Sequence, residues 1–325
     1  MKSLPPSSRK TAFLFPGSGA QHVGMGRALR DALPAVEANL REIDKKLGYA
    51  ISSAMDGPTD LLFPPVDSAT PTVFMEVTMA LSLAVAGALK QAGAAPDVLA
   101  GRSMGEYSAA SFSGVFSTRD CFLMVKDVTL KGQQDCLRTP SSLITIYGLT
   151  RMELRTLAGG MKKDGHICEV VAFYDKASLG VAGLRNSSLG ELRARLAPFR
   201  HRISVSREVG AFHSTLFNRL ASRALRFFKK MEFSAPAIPI YMNLDAALES
   251  EPAAIKIKLA SALNNPVLWQ ETIRNMLADG VRTFVELAPG VMLTEFICDL
   301  PPDAEVLRTD TPENFRRTLG RLTGR

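Results

Sequence analysis

Two short apolar runs that break off into glycine-rich turns constrain this fold more than any other feature of the chain. Residues Thr11 to Phe15 end in Pro16-Gly17-Ser18-Gly19. Asp97 to Ala100, after Pro96, end in Gly101-Arg102-Ser103-Met104-Gly105, and a helical stretch follows from Gly105 to Phe112. Apolar runs this short, bounded by glycine and proline, read as buried strands rather than helices. The alternation continues along the chain. Gly26 to Leu47 carries helical spacing, Val73 to Lys90 is apolar nearly all round, and Thr118-Arg119-Asp120 caps a helix that reaches about Gln134. Later, Ile238 to Met242 and Thr283 to Leu287 read as strands and Leu268 to Ala278 as a helix. Strands alternating with helices predict an α/β core around a mostly parallel sheet.

The texture changes from about Leu143. Leu143 to Tyr147, Cys168 to Phe173, Leu179 to Ala182 and His201 to Val205 read as strands. Met152 to Met161 and Leu189 to Leu196 read as helices, the second opened by Ser188 and Glu191 at capping-box spacing. Strand-helix-strand-strand-helix-strand is the ferredoxin-like order. The expected architecture is α/β: a large α/β-hydrolase-like domain over residues 1–138 and 206–325, with a small ferredoxin-like lobe, residues 139–205, inserted into it.

Composition narrows the functional classes. The best apolar run, Met79 to Leu89, is too short to span a bilayer. Only Ala12 to Phe15 follows the basic residues Lys2, Arg9 and Lys10, too little for a signal peptide. A cytoplasmic protein without a membrane segment is expected. Cys121, Cys136, Cys168 and Cys298 form no C-x-x-C pair, and His22, His166, His201 and His213 stand at no metal-ligand spacing. Reduced structural thiols and no metal are therefore expected. The net charge is +7. It is concentrated between Arg185 and Lys230, where Glu191 and Glu208 are the only acidic residues, and in a tail with Arg316, Arg317, Arg321 and Arg325. No aromatic-interleaved or zinc motif accompanies these cations, so no nucleic acid is expected. An acidic protein partner and a merely solvated basic surface both remain open.

The sharpest chemical signal is Gly101-Arg102-Ser103-Met104-Gly105. A serine on a tight turn between strand and helix exposes its hydroxyl above the sheet, and flanking glycines let the turn close without Cβ clashes. The serine needs a base, and His213 in Gly210-Ala211-Phe212-His213-Ser214 is the best candidate. An oxyanion would need backbone N–H donors. Met104, at a helix N-terminus, offers one, and the Pro16-Gly17-Ser18-Gly19 turn could offer another.

Five motifs in order over nearly the whole chain resemble the malonyl-CoA:acyl-carrier-protein transacylase family and the acyltransferases of polyketide synthases. Phe15-Pro16-Gly17-Ser18-Gly19-Ala20-Gln21 with Gly24-Met25 resembles F-P-G-Q-G-S-Q-x-x-G-M. Gly101 to Tyr107 resembles G-H-S-L-G-E-Y, and Gly210 to Ser214 resembles G-A-F-H-S. Asn265-Pro266-Val267-Leu268-Trp269 resembles N-P-V-x-W. Glu286-Leu287-Ala288-Pro289-Gly290 with Leu293-Thr294 resembles E-x-G-P-G-x-x-L-T. The resemblance implies a discrete, trans-acting ping-pong acyltransferase of polyketide or fatty-acid biosynthesis. Ser103 is then the nucleophile and His213 the base, oriented by a backbone carbonyl near Ala262, with the N–H groups of Ser18 and Met104 as oxyanion donors. It implies no permanently bound cofactor. CoA or phosphopantetheine arrives on the substrates, and the partner is an acidic acyl carrier protein served by a monomer.

The chain departs from that pattern in its acyl pocket. Val128 stands where malonyl-type members carry the arginine that pairs with the extender's carboxylate, with Lys131 one turn away. Thr70 replaces a pocket glutamine, and Arg102 replaces the histidine before the nucleophile. Phe212 beside the base belongs to the same set of specificity positions. An unpartnered buried carboxylate costs several kcal/mol, so the loss of the arginine predicts a non-malonyl acyl group. Two alternatives stand beside it. One is an editing hydrolase that clears acyl groups from carrier proteins. The other is a malonyl transacylase with a displaced anchor at Arg102, which could equally face solvent or pair with Glu106. Arg202, Arg207, Arg219 and Arg223 are the first candidates for docking the carrier.

Overall fold

The computed structural model describes residues 9–58, 62, 73–174, 178–206, 210–297 and 300–324. Ten strands are present among them: β1 (Lys10–Phe15), β2 (Val98–Gly101), β3 (Ser141–Tyr147), β4 (Cys168–Tyr174), β5 (Leu179–Arg185), β6 (Arg202–Val205), β7 (Ile240–Tyr241), β8 (Leu248–Glu249), β9 (Val281–Glu286) and β10 (Glu305–Arg308). The larger sheet has the order β10-β9-β1-β2-β7-β8. Every neighbouring pair in it is parallel except β7 and β8. In the register of β1 and β2, Phe15 lies abreast of Gly101, so both glycine-rich turns leave the same end of the sheet. The mostly parallel sheet follows from apolar strands that can be buried on both faces; the last four residues of β1 and all four of β2 are buried.

The second sheet is antiparallel, in the order β4-β5-β3-β6. Helices Arg151–Lys163 and Leu189–Leu196 connect its strands in the ferredoxin-like arrangement. The capping box expected at Ser188 is not formed. Ser188 closes a short 3₁₀ turn, Asn186–Ser188, and caps nothing, while Glu191 accepts from Arg195 at 2.6 Å. The box forms instead at Thr150. Its hydroxyl accepts from the Glu153 N–H at 3.2 Å, and Glu153 accepts from the Thr150 N–H at 2.7 Å.

Other boundaries moved for local reasons. The helix expected from Gly26 to Leu47 is two helices, Arg27–Ala32 and Pro34–Leu47. Leu33 is extended at φ −131°, as the residue before a proline prefers, and Pro34 opens the second helix where its missing N–H costs nothing. The cap of the helix Thr118–Arg138 is Ser117, whose hydroxyl accepts from the Asp120 N–H. The sequence reading left out the helices Pro252–Ser261 and Pro312–Thr323 and the edge strands β8 and β10. The edge strands are only two and four residues long, too short to show a period.

A shared apolar cluster joins the two sheets. Leu14 and Ala100 of the parallel sheet pack with Val171 and Val181 of the antiparallel one through Trp269 and Ile273 of the helix Trp269–Ala278. The Val267 N–H donates to the Val171 carbonyl at 2.8 Å beside it. Trp269 is 1% exposed and is the largest side chain in this cluster. Trp269→Ala is expected to destabilise the protein by about 3–5 kcal/mol, read as a lower urea midpoint. An unchanged midpoint would show that the sheets hold together without it.

Candidate active site

Ser103 lies on the turn between β2 and the helix Gly105–Phe112, with φ 56°. A left-handed conformation costs a non-glycine residue about 1–2 kcal/mol, so the surroundings must hold it. Three glycines make the turn possible. A Cβ on Gly101 would lie 1.9 Å from the Gly105 carbonyl carbon, and one on Gly105 would lie 2.2 Å from the Phe15 oxygen. A Cβ on Gly17 would lie 2.3 Å from the Arg102 oxygen. The Pro16–Gly19 turn is therefore pressed against the serine turn, backbone to backbone. Ser18 and Met104 line the cavity beside Ser103, where N–H donors for an oxyanion are needed.

His213 arrives from the other side of the cleft. Its Nε2 is 2.7 Å from Ser103 Oγ, and its Nδ1 is 2.6 Å from the Ala262 carbonyl oxygen. A carbonyl can only accept, so Nδ1 carries the proton and Nε2 presents its lone pair to the serine hydroxyl. The ring is held by its own main chain as well: the His213 N–H donates to the Leu263 carbonyl at 2.9 Å, with φ 66° at His213. Burial is the main influence on its pKa, which falls to about 4; the Ala262 carbonyl opposes the fall and the Arg102 charge adds to it. The imidazole is thus neutral at physiological pH, and no carboxylate among the described residues bonds to it.

Below Ser103 lies an inner cavity of about 50 Å³. Met75, Val125, Val128, Leu143, Phe212 and Leu263 supply most of its apolar wall. Val128 brings no charge to it. Phe212 stacks on Phe217 with centroids 4.4 Å apart and lies over Gly132, where a Cβ would come within 2.8 Å of its ring. An outer cleft of about 420 Å³ shares Ser18, Arg102 and Leu143 with the inner cavity and is walled by Tyr147, Tyr174 and Phe296. Arg102 neither faces open solvent nor pairs with Glu106. It donates from Nε to the Tyr174 hydroxyl, with its guanidinium 5.4 Å and 5.5 Å from the ring centres of Tyr174 and Phe296. Those rings are stacked 3.9 Å apart.

Lys131 does not replace the missing arginine: it pairs with Asp127 one turn away and lies over the Phe227 ring. The docking candidates separate. Arg202 is exposed over the Tyr147 ring at 4.3 Å, on the rim of the outer cleft, and Arg219 is exposed on the first helix after His213. Arg223 is not a surface charge. It is 17% exposed and pairs with Asp135 at 2.6 Å, because a cation packed between two helices needs a partner. Arg207 and Thr70 lie outside the described residues. Cys121, Cys136 and Cys168 are free and buried, and Cys298 lies outside the described residues. No group of three or more potential metal ligands occurs among the described residues, and no helix among them is long and apolar enough to cross a membrane.

Sequence reasoning missed Asn243, fully buried just beyond β7, whose side chain accepts from the Ser103 N–H at 2.6 Å. It sits in none of the five motifs, and a lone asparagine after a strand carries no signal by itself.

The pH dependence of Ser103 acylation follows from the geometry around His213. A base with its pKa near 4 in the folded protein loses activity only as the pH falls toward 4, not near 6.5 where a free imidazole would. Arg102→Ala removes a neighbouring positive charge and moves that acid limb upward. The rate of acylation against pH checks both; a wild-type limb centred near 6.5 contradicts the buried, neutral base.

Comparison with known proteins agrees with this geometry. The Acyl transferase domain family matches residues 12–132. The malonyl CoA-acyl carrier protein transacylase of Bacillus subtilis is 27% identical over 96% of this chain and 97% of its own length. The polyketide biosynthesis protein ThaF of Burkholderia thailandensis is 26% identical over 90% of this chain and 24% of its own length. Among solved structures, an acyl-carrier-protein S-malonyltransferase of Burkholderia pseudomallei superimposes with a TM-score of 0.84, at 26% identity, over 95% of this chain and 99% of that one. A malonyl-transacylase solved in complex with a type II polyketide synthase acyl-carrier protein shares the fold, with a TM-score of 0.85 over 96% of this chain and 99% of that one, at 24% identity. Residues 12–132 thus match the acyl transferase domain, and over nearly its whole length the chain is similar to malonyl-CoA–acyl carrier protein transacylases.

Proposed function

We propose that the chain moves an acyl group without a free carboxylate between a thioester donor, an acyl-CoA or an acyl-carrier protein, and the phosphopantetheine thiol of a carrier protein. The observation that carries this reading is Val128 in the wall of the inner cavity, where a malonyl-type enzyme needs a cation. Ser103 Oγ attacks the thioester carbonyl while His213 Nε2 takes its proton. The tetrahedral oxyanion forms against the N–H groups of Met104 and Ser18. Its collapse breaks the C–S bond, and the departing thiol takes the proton back from Nε2. The acyl-serine then undergoes the same steps in reverse with the carrier's thiol as the attacking group.

Intact mass after incubation with a panel of acyl thioesters tests the acyl class. Acetyl- and longer monocarboxylic CoA esters are expected to label Ser103, and malonyl-CoA is not. Rapid malonylation with no monocarboxylic labelling overturns the reading. A second reading rests on the position of Arg102 at the junction of cavity and cleft, where it could anchor a carboxylate. Malonylation that Arg102→Ala abolishes would establish it. The lifetime of the acyl-serine without holo carrier protein separates transfer from hydrolysis, since rapid decay in buffer marks an editing hydrolase.

The carrier is taken to be acidic and to meet the exposed Arg202 beside the outer cleft and the exposed Arg219 on the first helix after His213. Rim charges act mainly on association and are screened by salt. The double reversal Arg202→Glu with Arg219→Glu is expected to raise KM for the carrier severalfold at low salt while self-acylation by a small thioester is spared. Slower self-acylation with unchanged carrier dependence would place docking elsewhere. Arg223 is left out of the pair, because reversing it would break the half-buried link to Asp135.

A further inference from the structure

We infer that Asn243, with Glu106 behind it, is the positioning residue that holds the Ser103 turn ready for attack. The inference rests on Ser103 being the nucleophile. The Asn243 side chain closes the turn from both ends: Oδ1 accepts from the Ser103 N–H at 2.6 Å, and Nδ2 donates to the Gly101 carbonyl at 2.6 Å. One amide thus ties the last residue of β2 to the residue at φ 56°. A hydroxyl is too short to span both groups, and a carboxylate cannot donate to the Gly101 oxygen. Asn243 is itself held, because its own N–H donates to Glu106 Oε1 at 2.6 Å. Glu106 stands in the first turn of the helix that Ser103 leads into. The contacts therefore close a ring: serine turn, helix, Glu106, Asn243 backbone, Asn243 side chain, serine turn.

The ring is buried: Asn243 is 0% exposed and Glu106 1% exposed. Glu106 Oε1 accepts from the Asn243 N–H, while Oε2 is buried with no hydrogen-bond partner among the described residues, and the side chain borders the inner cavity. Burial holds the Glu106 carboxyl protonated up to about pH 8, so the ring carries no net charge at neutral pH. It also has a chemical consequence. The Ser103 N–H is committed to Asn243, so in the proposed mechanism oxyanion donation falls to Met104 and Ser18. Without Asn243 the serine hydroxyl loses its fixed distance to His213 Nε2, and small displacements of a reacting atom can cost on the order of 100-fold in rate.

A fluorophosphonate probe tests this apart from any acyl preference. Ser103 Oγ bonds to phosphorus, fluoride leaves and His213 takes the proton, whatever acyl group the cavity prefers. The second-order rate of labelling is compared per folded molecule, with the acylation of Ser103 by acetyl-CoA followed in parallel. Asn243→Asp is expected to lower the labelling rate on the order of 100-fold, and to lower kcat for acylation while leaving KM in place. Glu106→Gln keeps an acceptor for the Asn243 N–H and Glu106→Leu removes it, so the glutamine variant should react on the order of tenfold faster than the leucine variant. Wild-type labelling by folded Asn243→Asp overturns the inference. So do equal rates for the two Glu106 variants, which decide the matter if Asn243→Asp does not fold. Absence of labelling in the wild type, by contrast, sinks the nucleophile assignment itself.

Discussion

The contact on which the rest depends is a meeting of backbones where two parallel strands end. β1 and β2 finish abreast, and each breaks into a turn at the same edge of the sheet. The Arg102 N–H donates to the Phe15 carbonyl at 3.0 Å, and Gly17, Gly101 and Gly105 approach neighbouring main chain more closely than any Cβ allows. This crowding is what holds Ser103 in a left-handed conformation that its own side chain disfavours. It also brings the Ser18 turn within reach of the same cavity. The proposed nucleophile and the proposed oxyanion donors are therefore one packing event.

The partner of that turn comes from a different part of the chain and is tuned by burial. His213 is held by two main-chain carbonyls, Ala262 through its ring and Leu263 through its N–H, and no acidic side chain among the described residues bonds to it. A carboxylate there would raise the imidazole's pKa; a carbonyl orients it with little charge. Desolvation then dominates and keeps the ring neutral. The Arg102 guanidinium works in the same direction, so its place on the Tyr174 and Phe296 rings bears on the base as well as on the cleft.

Selectivity is divided between two chambers of unlike character. The inner one is small and mostly apolar, and the larger outer one is edged by aromatic rings, with the exposed Arg202 over one of them. A charged acyl group would have to leave its counter-charge at the junction, because burying it deeper costs several kcal/mol without a partner. Arg102 is the cation at that junction, and Val128 is what the depth of the cavity offers instead.

What could be read from the residues was whatever lies in consecutive positions. The glycines around Ser103 announce a turn because only glycine tolerates such approach, and the strand and helix on either side repeat with legible periods. The order of elements in the small lobe was legible for the same reason. The edge strands were not, being too short for a period, and the box at Ser188 was misplaced because Glu191 had a nearer partner in Arg195. The residues that depend on distant neighbours were decided by tertiary structure. Arg223 has the spacing of a surface charge, yet it is a half-buried tie to Asp135, 88 residues away. Arg102 lies over Tyr174 and Phe296, which are far apart in sequence from each other and from Arg102. Asn243 acquires its place only when β7 settles beside β2 and carries the asparagine two residues on under a turn 140 positions earlier. Local patterns register the shape that a segment's own backbone prefers. The role of a buried polar group depends instead on which partners satisfy it, and those are supplied by the packing of the whole chain.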